Sequence, residues 1–300
     1  MALALTQNRL KTYAGFVKLE HTVFSLPLIF AGAMLGGFLT WRLAGLILLA
    51  ASAGRVMAMG FNRLIDAEID ARNPRTAQRE LPRGAMRHGE AWAVVGAAGL
   101  VYAASAAAIS PVCLWMAPVP VALFVGYPYL KRVTAFAHLG LGLAWSMAPV
   151  GGWLATTAAW LHPAAFRTEG WSDWLWEFRG EAWWLWLFSV FWVSGFDVIY
   201  ATMDEAFDRE AGLHSLPAWL GSRKALGVAA LLHGAAFYML YELWRTQLGG
   251  TGASLAWLAA IGALFLWQHA IAARNPELAF FKLNSAIGFL VLGFVWAGGA

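Results

Sequence analysis

Apolar residues run along this chain in blocks of about twenty, separated by short polar or charged stretches. Nine blocks stand out, at 22–39, 44–63, 91–109, 112–130, 136–158, 183–203, 224–244, 254–273 and 279–298. Ala, Leu and Trp dominate them and no period-two alternation persists, so each is predicted to be a helix. Roughly twenty apolar residues is the length that carries a helix across a bilayer's hydrocarbon core. Lipid offers the backbone no hydrogen-bond partners, which also selects helices. The pattern predicts an all-α, polytopic membrane protein with nine transmembrane helices, one integral-membrane domain over residues 1–300. The 31 glycines suit helices that approach one another closely.

Composition strengthens this reading: 60% of residues are hydrophobic and 13% charged. Soluble domains carry about a quarter charged residues, so no sizeable soluble domain is expected. The first block starts near Thr22 without a small-residue cleavage site, and many spans follow, so it reads as a retained helix. The lone Cys113 excludes an internal disulfide and a multi-cysteine metal site, and reads as a small buried residue. With the N-terminus in the cytoplasm, 16 Lys and Arg fall in inner loops and 4 in outer ones, while Arg55 lies within a span. This bias fits the positive-inside rule. The expected location is the cell inner (plasma) membrane, multi-pass. The outer loop 159–182, rich in Trp and Glu, is expected at the membrane interface.

Two charged stretches break the apolar pattern. In "FNRLIDAEIDARNPRTAQRELPRG" (61–84), Asn62, Asp66 and Asp70 are four residues apart and share one helix face. Like charges at that spacing need a cation between them. In "GFDVIYATMDEAFDREAGLHSLP" (195–217), Asp197, Asp204 and Asp208 follow at offsets of seven and four, with Tyr200 on the same face. Both stretches fall on the cytoplasmic side. One such stretch is explained by a solvated loop, whereas two with repeated acid spacing favour a site. Ionisable groups at a helix's membrane end mark function. Carboxylates from two helices suit Mg²⁺, which takes one or two carboxylates and completes its shell with waters and substrate phosphates. Arg72, Arg75, Arg79, Lys131 and Arg132 supply cations for phosphate oxygens. Acids, metal and cations together suggest a diphosphate site, beside an apolar body suited to a lipid tail.

These residues resemble the UbiA superfamily of intramembrane aromatic prenyltransferases. "NRLIDAEIDARNPRTAQRELP" is similar to its first signature, Asn-x-x-x-Asp-x-x-x-Asp, and "DVIYATMDEAFDREAGLHSLP" to its second, Asp-x-x-x-Asp preceded by Tyr-Ala. "GYPYLKRVT" (126–134) and "KLEHTVFSLP" (18–27) look like two further segments. The resemblance implies nine helices around a central cavity open to lipid, and Mg²⁺-dependent transfer of a polyprenyl group from its diphosphate to a ring carbon of a small aromatic acid. The acceptor it implies is 4-hydroxybenzoate, in ubiquinone or menaquinone biosynthesis. It further implies Asn62, Asp66 and Asp70 on one Mg²⁺ and Asp204 and Asp208 on a second. Lys131 and Arg132 would meet the diphosphate or the acceptor carboxylate, and Lys18 is the first-helix cation near the acceptor. Arg72, Arg75, Tyr127 and Ser215 complete the expected substrate-binding set. Arg63 replaces a second aspartate common in the family and is not a ligand. The His214–Ser215 pair resembles relatives that prenylate 1,4-dihydroxy-6-naphthoate in the futalosine route, which stands as the alternative acceptor.

Phe61, Tyr127, Trp145 and Tyr200 are candidates to face an allylic cation. Asp197 either takes the ring proton or orients Tyr200. His138 reads as a satisfied structural residue, with acceptor contact as the alternative. His21 reads as a packing residue, and His162, His233 and His269 lack ligand spacing. Asn284 and Ser285 are expected to hydrogen-bond between helices. No nucleic-acid partner is expected. The rival class is a membrane ion or solute transporter, but such paths set their charges near the midplane rather than among arginines at one face.

Overall fold

The structure, a computed structural model, describes residues 2–18, 22–160, 180 and 182–299. Among them the regular structure is entirely helical. The elements are α1 (Ala2–Val17), α2 (Thr22–Leu35), α3 (Trp41–Ile65), α4 (Ala67–Arg72), α5 (His88–Ile109), α6 (Pro111–Met116), α7 (Pro118–Leu130) and α8 (Ala137–Trp160). They continue as α9 (Trp183–Ala201), a 3-10 turn (Thr202–Asp204), α10 (Glu205–Glu210), α11 (Leu216–Leu220), α12 (Ser222–Thr246), α13 (Gly252–Ala272), α14 (Pro276–Phe280) and α15 (Lys282–Ala297). The predicted interfacial loop lies almost wholly outside the described residues, as do His21 and His162.

Local chemistry sets the boundaries. Thr40 caps α3 by accepting a hydrogen bond from Leu43 N at 3.2 Å, and Ser110 with Pro111 ends α5 and starts α6. Asn275 with Pro276 opens α14 in the same way. A polar cap followed by proline at the first helical position is favoured because proline lacks the N–H that would go unbonded there.

Every predicted block coincides with a helix, but among the described residues seven spans are long and apolar enough to cross a membrane. The predicted α2 and α8 spans are the other two. α2 has 14 residues, and α8 carries glycine, serine, threonine and proline where a lipid-facing helix would carry leucine. Those small residues serve contact between helices. A Cβ built at Gly152 of α8 would sit 1.9 Å from Ile29 O of α2, and one at Gly32 would sit 2.0 Å from Pro149 O. On α8's other side, a Cβ at Gly142 would lie 2.5 Å from Val190 O of α9. Close backbone approach of this kind drives helix association in lipid.

Packing joins α2, α8, α9, α12, α13 and α15 in a closed ring, with α3, α5 and α7 flanking α8. The largest core cluster, which includes Phe188, Trp192, Leu240, Ile261 and Phe294, fills the ring. Inside it Asn284 Oδ1 accepts from Trp192 Nε1 at 2.9 Å and Gln268 Nε2 at 3.1 Å, the interhelical bonding expected of it. Ser285 instead donates to Phe281 O of its own helical turn. On the other side of α8 lies a cavity of about 950 Å³ walled mainly by α3, α7, α8 and α9.

Candidate functional site

Both acid rows line this one cavity, Asp66 and Asp70 from the α3–α4 stretch and Asp204 and Asp208 from the stretch that enters α10. Each row stands at a helix break. Asp66, at φ −94° and ψ 2°, closes α3 and opens α4, while Asp204, at φ −110° and ψ 5°, precedes α10. The i to i−4 pattern survives the first break, since Asp66 N donates to Asn62 O at 3.0 Å and Asp70 N to Asp66 O at 2.8 Å. The four-residue spacing therefore keeps its single face.

Asp66, Asp70 and Asp204 each have a specific partner. Lys131 Nζ donates to Asp66 Oδ2 at 2.6 Å, and Asn62 Nδ2 donates to the same oxygen at 3.0 Å. Arg79 Nη1 spans both oxygens of Asp70 at 2.8 and 2.7 Å. Arg75 clasps both oxygens of Asp204, with Nε at 2.8 Å on Oδ1. The same guanidinium donates to Tyr200 OH at 2.5 Å and lies over the Tyr200 ring, 4.6 Å from its centroid. Asn73 adds a 2.9 Å bond to Asp204 Oδ1. Asp208 lines the cavity together with Ser215, whose Oγ accepts from Ala218 N at 3.2 Å. Burial raises the pKa of Asp66 above the usual carboxylate range, opposed by Lys131.

The donor set fits a hard divalent cation. Asp66 Oδ1 is buried with no hydrogen-bond partner, and the surrounding ligands are oxygens. Among the described residues no three His, Cys, Asp or Glu side chains converge on one point. Each row thus offers an ion at most two carboxylates, the number Mg²⁺ takes when substrate phosphates complete its shell.

The remaining expected residues separate clearly. Lys18 at the end of α1, with φ +50°, lines the cavity, and so do Tyr127, Trp145, Tyr200 and Ser215. Arg132 sits at the rim, exposed, bonding Ile65 O at 2.7 Å and lying 3.8 Å from Asp66 Oδ1. Arg72 is exposed and does not line the cavity. Phe61 turns away to pair edge-on with Trp92. Arg63 is buried and pairs with Glu80 at 3.0 Å. Cys113 is buried as expected. Asp197 does not orient Tyr200: its partner is His138, at 2.7 Å.

Three contributors escaped the sequence reading. Asn73 holds Asp204 across 131 positions of chain, which no local pattern reports. His138 was read as structural, with acceptor contact as the alternative, and its pairing with Asp197 went unforeseen. Arg55 carried a signal, since a charge inside an apolar span is costly unless used. It lines the cavity about seven residues, roughly 10 Å, below Asn62. Its guanidinium lies 4.8 Å from the Trp145 ring centroid, and its Nε is buried without a hydrogen bond.

Residues 25–296 match the model of the UbiA prenyltransferase family. The chain is 29% identical over 266 residues to a 4-hydroxybenzoate solanesyltransferase from Synechocystis, covering 85% of this chain and 82% of that protein. It is 29% identical over 304 residues to a 4-hydroxybenzoate octaprenyltransferase from Sodalis glossinidius, covering 96% and 95%. Among solved structures, a UbiA homologue from Aeropyrum pernix matches with TM-score 0.83 and 32% identity, over 94% of this chain and 98% of that one. A homologue from Archaeoglobus fulgidus, bound to GPP and Mg²⁺, shares the fold with TM-score 0.62 at 18% identity, over 96% and 98%.

Proposed function

This chain belongs to the UbiA prenyltransferase family, and from that premise we propose that it moves a polyprenyl group from its diphosphate to a ring carbon of 4-hydroxybenzoate. The observation that carries the proposal is the pair of acid rows facing one cavity, each beside a lysine or arginine, with apolar walls beneath. It works as one integral-membrane domain in the cell's inner membrane, with nine spans and the acid rows facing the cytoplasm. The excess of Lys and Arg on that side supports the orientation.

Asn62, Asp66 and Asp70 would hold one Mg²⁺, and Asp204 and Asp208 a second. An ion held by these carboxylates would supply positive charge against that building on the departing diphosphate. Arg75, Arg79 and Lys131 take phosphate oxygens that carboxylates alone would repel. The prenyl chain lies along the apolar wall, beside Trp145 and Tyr200. Arg55 receives the acceptor's carboxylate, because a half-buried guanidinium with an unbonded Nε gains most from an anion. The small aromatic acid thereby stands below the diphosphate with its ring toward the prenyl chain.

The deciding assay gives the purified protein a polyprenyl diphosphate with 4-hydroxybenzoate or 1,4-dihydroxy-6-naphthoate, with and without Mg²⁺. Metal-dependent prenylated 4-hydroxybenzoate is the expected product. Prenylation of the naphthoate alone would move the acceptor to the futalosine route. Ion or solute flux in liposomes without any transfer would overturn the enzyme reading.

A further inference from the structure

Asp197 and His138 lie in the cavity wall but outside the acid rows. Asp197 precedes Asp204 by seven residues, roughly 10 Å toward the membrane interior on a helical rise. Arg55 stands at a similar depth on α3, and Arg55, Tyr127 and Asp197 all line the cavity. Asp197 is therefore at the level proposed for the acceptor ring rather than that of the metals.

Its surroundings differ from those of the other acids. Asp66, Asp70 and Asp204 each pair with a lysine or arginine. Asp197 instead has His138, whose Nδ1 is 2.7 Å from Oδ2. The other ring nitrogen, Nε2, accepts the backbone N–H of Leu216 at 3.2 Å. A nitrogen that accepts a hydrogen bond carries no proton, so the ring is neutral and its single N–H points from Nδ1 at Asp197. The imidazole, 5% exposed, is thus fixed between α8, α9 and α11. It occupies Oδ2, and among the described residues no hydrogen bond takes Oδ1.

We infer that Asp197 is the proton acceptor of the transfer and that His138 is the residue that positions it. The inference rests on the prenyltransferase reading above. In the balanced step, the allylic C–O bond breaks and its electron pair leaves with the diphosphate. A π pair of the acceptor ring forms the new C–C bond to the prenyl C1. The C–H pair at that ring carbon then restores aromaticity, and its proton goes to Asp197 Oδ1. Among the described residues Asp197 gives one oxygen to an imidazole and leaves the other open, whereas Asp70 and Asp204 have both oxygens clasped by arginine. His138 holds one oxygen still, so the other stays aimed at the ring.

The test compares wild type, Asp197→Asn, His138→Ala and His138→Asn, using 4-hydroxybenzoate that carries hydrogen or deuterium on its ring carbons. Loss of a general base costs about 100-fold or more in kcat, and misplacing one by an ångström costs about as much. Asp197→Asn and His138→Ala should fall by that order and develop a ring-deuterium isotope effect absent from wild type. His138→Asn, whose amide N–H reaches Asp197 much as Nδ1 does, should recover most of the rate and suppress the isotope effect. Calorimetric binding of Mg²⁺ with inorganic pyrophosphate should match wild type in all three. Wild-type rate in Asp197→Asn, or slowed variants without an isotope effect, would overturn the assignment. So would His138→Asn behaving like His138→Ala. If wild type prenylates no aromatic acid at all, the functional reading fails instead, a different result from a wild type that works and variants that do not.

Discussion

Replacing Asp66 by asparagine separates the chemistry of the site from the stability of the fold. Asp66 is 2% exposed, held by Lys131 at 2.6 Å and Asn62 at 3.0 Å, with Oδ1 lacking any protein donor. The change removes one negative charge at the point where a divalent ion would be held. A preorganised charge-stabilising contact is worth about 3 kcal/mol, or about 100-fold in kcat. The effect on folding should be far smaller. Burial raises the Asp66 pKa, so the ionised form is disfavoured in the folded protein. Stability from such a group is present while it is protonated and is lost as pH rises through the folded pKa. A neutral isostere removes that loss. Lys131, with its side chain 30% exposed, keeps water as an alternative partner. A net change of about 1 kcal/mol moves the melting temperature of a chain this size by only about 2–4 °C. Prenyl-transfer rates across a Mg²⁺ titration, together with thermal unfolding in detergent, measure both quantities. Near-wild-type turnover at limiting Mg²⁺ would refute the metal assignment. A collapse in melting temperature would show that Asp66 serves the fold instead.

Other outcomes follow from the same geometry. Arg75→Gln removes the clasp on Asp204 and the contact with Tyr200, and should raise the KM for the prenyl diphosphate by about 10-fold or more, one charged hydrogen bond being worth about 1.5–3 kcal/mol. Arg55→Gln should raise the KM for 4-hydroxybenzoate while leaving the diphosphate KM alone; equal rises in both would remove Arg55 from the acceptor's end. Since metal binding needs the ionised carboxylate, the raised Asp66 pKa should make Mg²⁺ affinity start to fall at a higher pH on acidification than an ordinary aspartate would allow, which calorimetry across pH can read. Gly152→Val would press a side chain onto Ile29 O, and should cost at least the 1–3 kcal/mol typical of overpacking, measured as a lower melting temperature. Cys113→Ala should leave turnover near wild type, since among the described residues its sulfur makes one long hydrogen bond, 4.0 Å to Leu154 O.

Much of this protein was legible before any coordinates, because the relevant signals are local. Hydrophobic block length and the lack of strand alternation fix helices in lipid, where the backbone has no other partner. The four-residue spacing of Asn62, Asp66 and Asp70 holds a common face through the break between α3 and α4, since backbone bonding continues across it. The order of charge along the chain gave the expected membrane orientation. Packing decided the rest. Whether α8 faces lipid or protein depends on glycines meeting the backbones of α2 and α9. Which cation holds which acid is likewise a tertiary fact: Arg79 falls to Asp70 and Arg75 to Asp204, while Arg72, from the same stretch, points away to solvent. His138 and Asp197 are 59 residues apart, and Asn73 and Asp204 are 131 apart. Periodicity reports the face a residue takes on its own helix, and only the packing of helices against one another determines what that face meets.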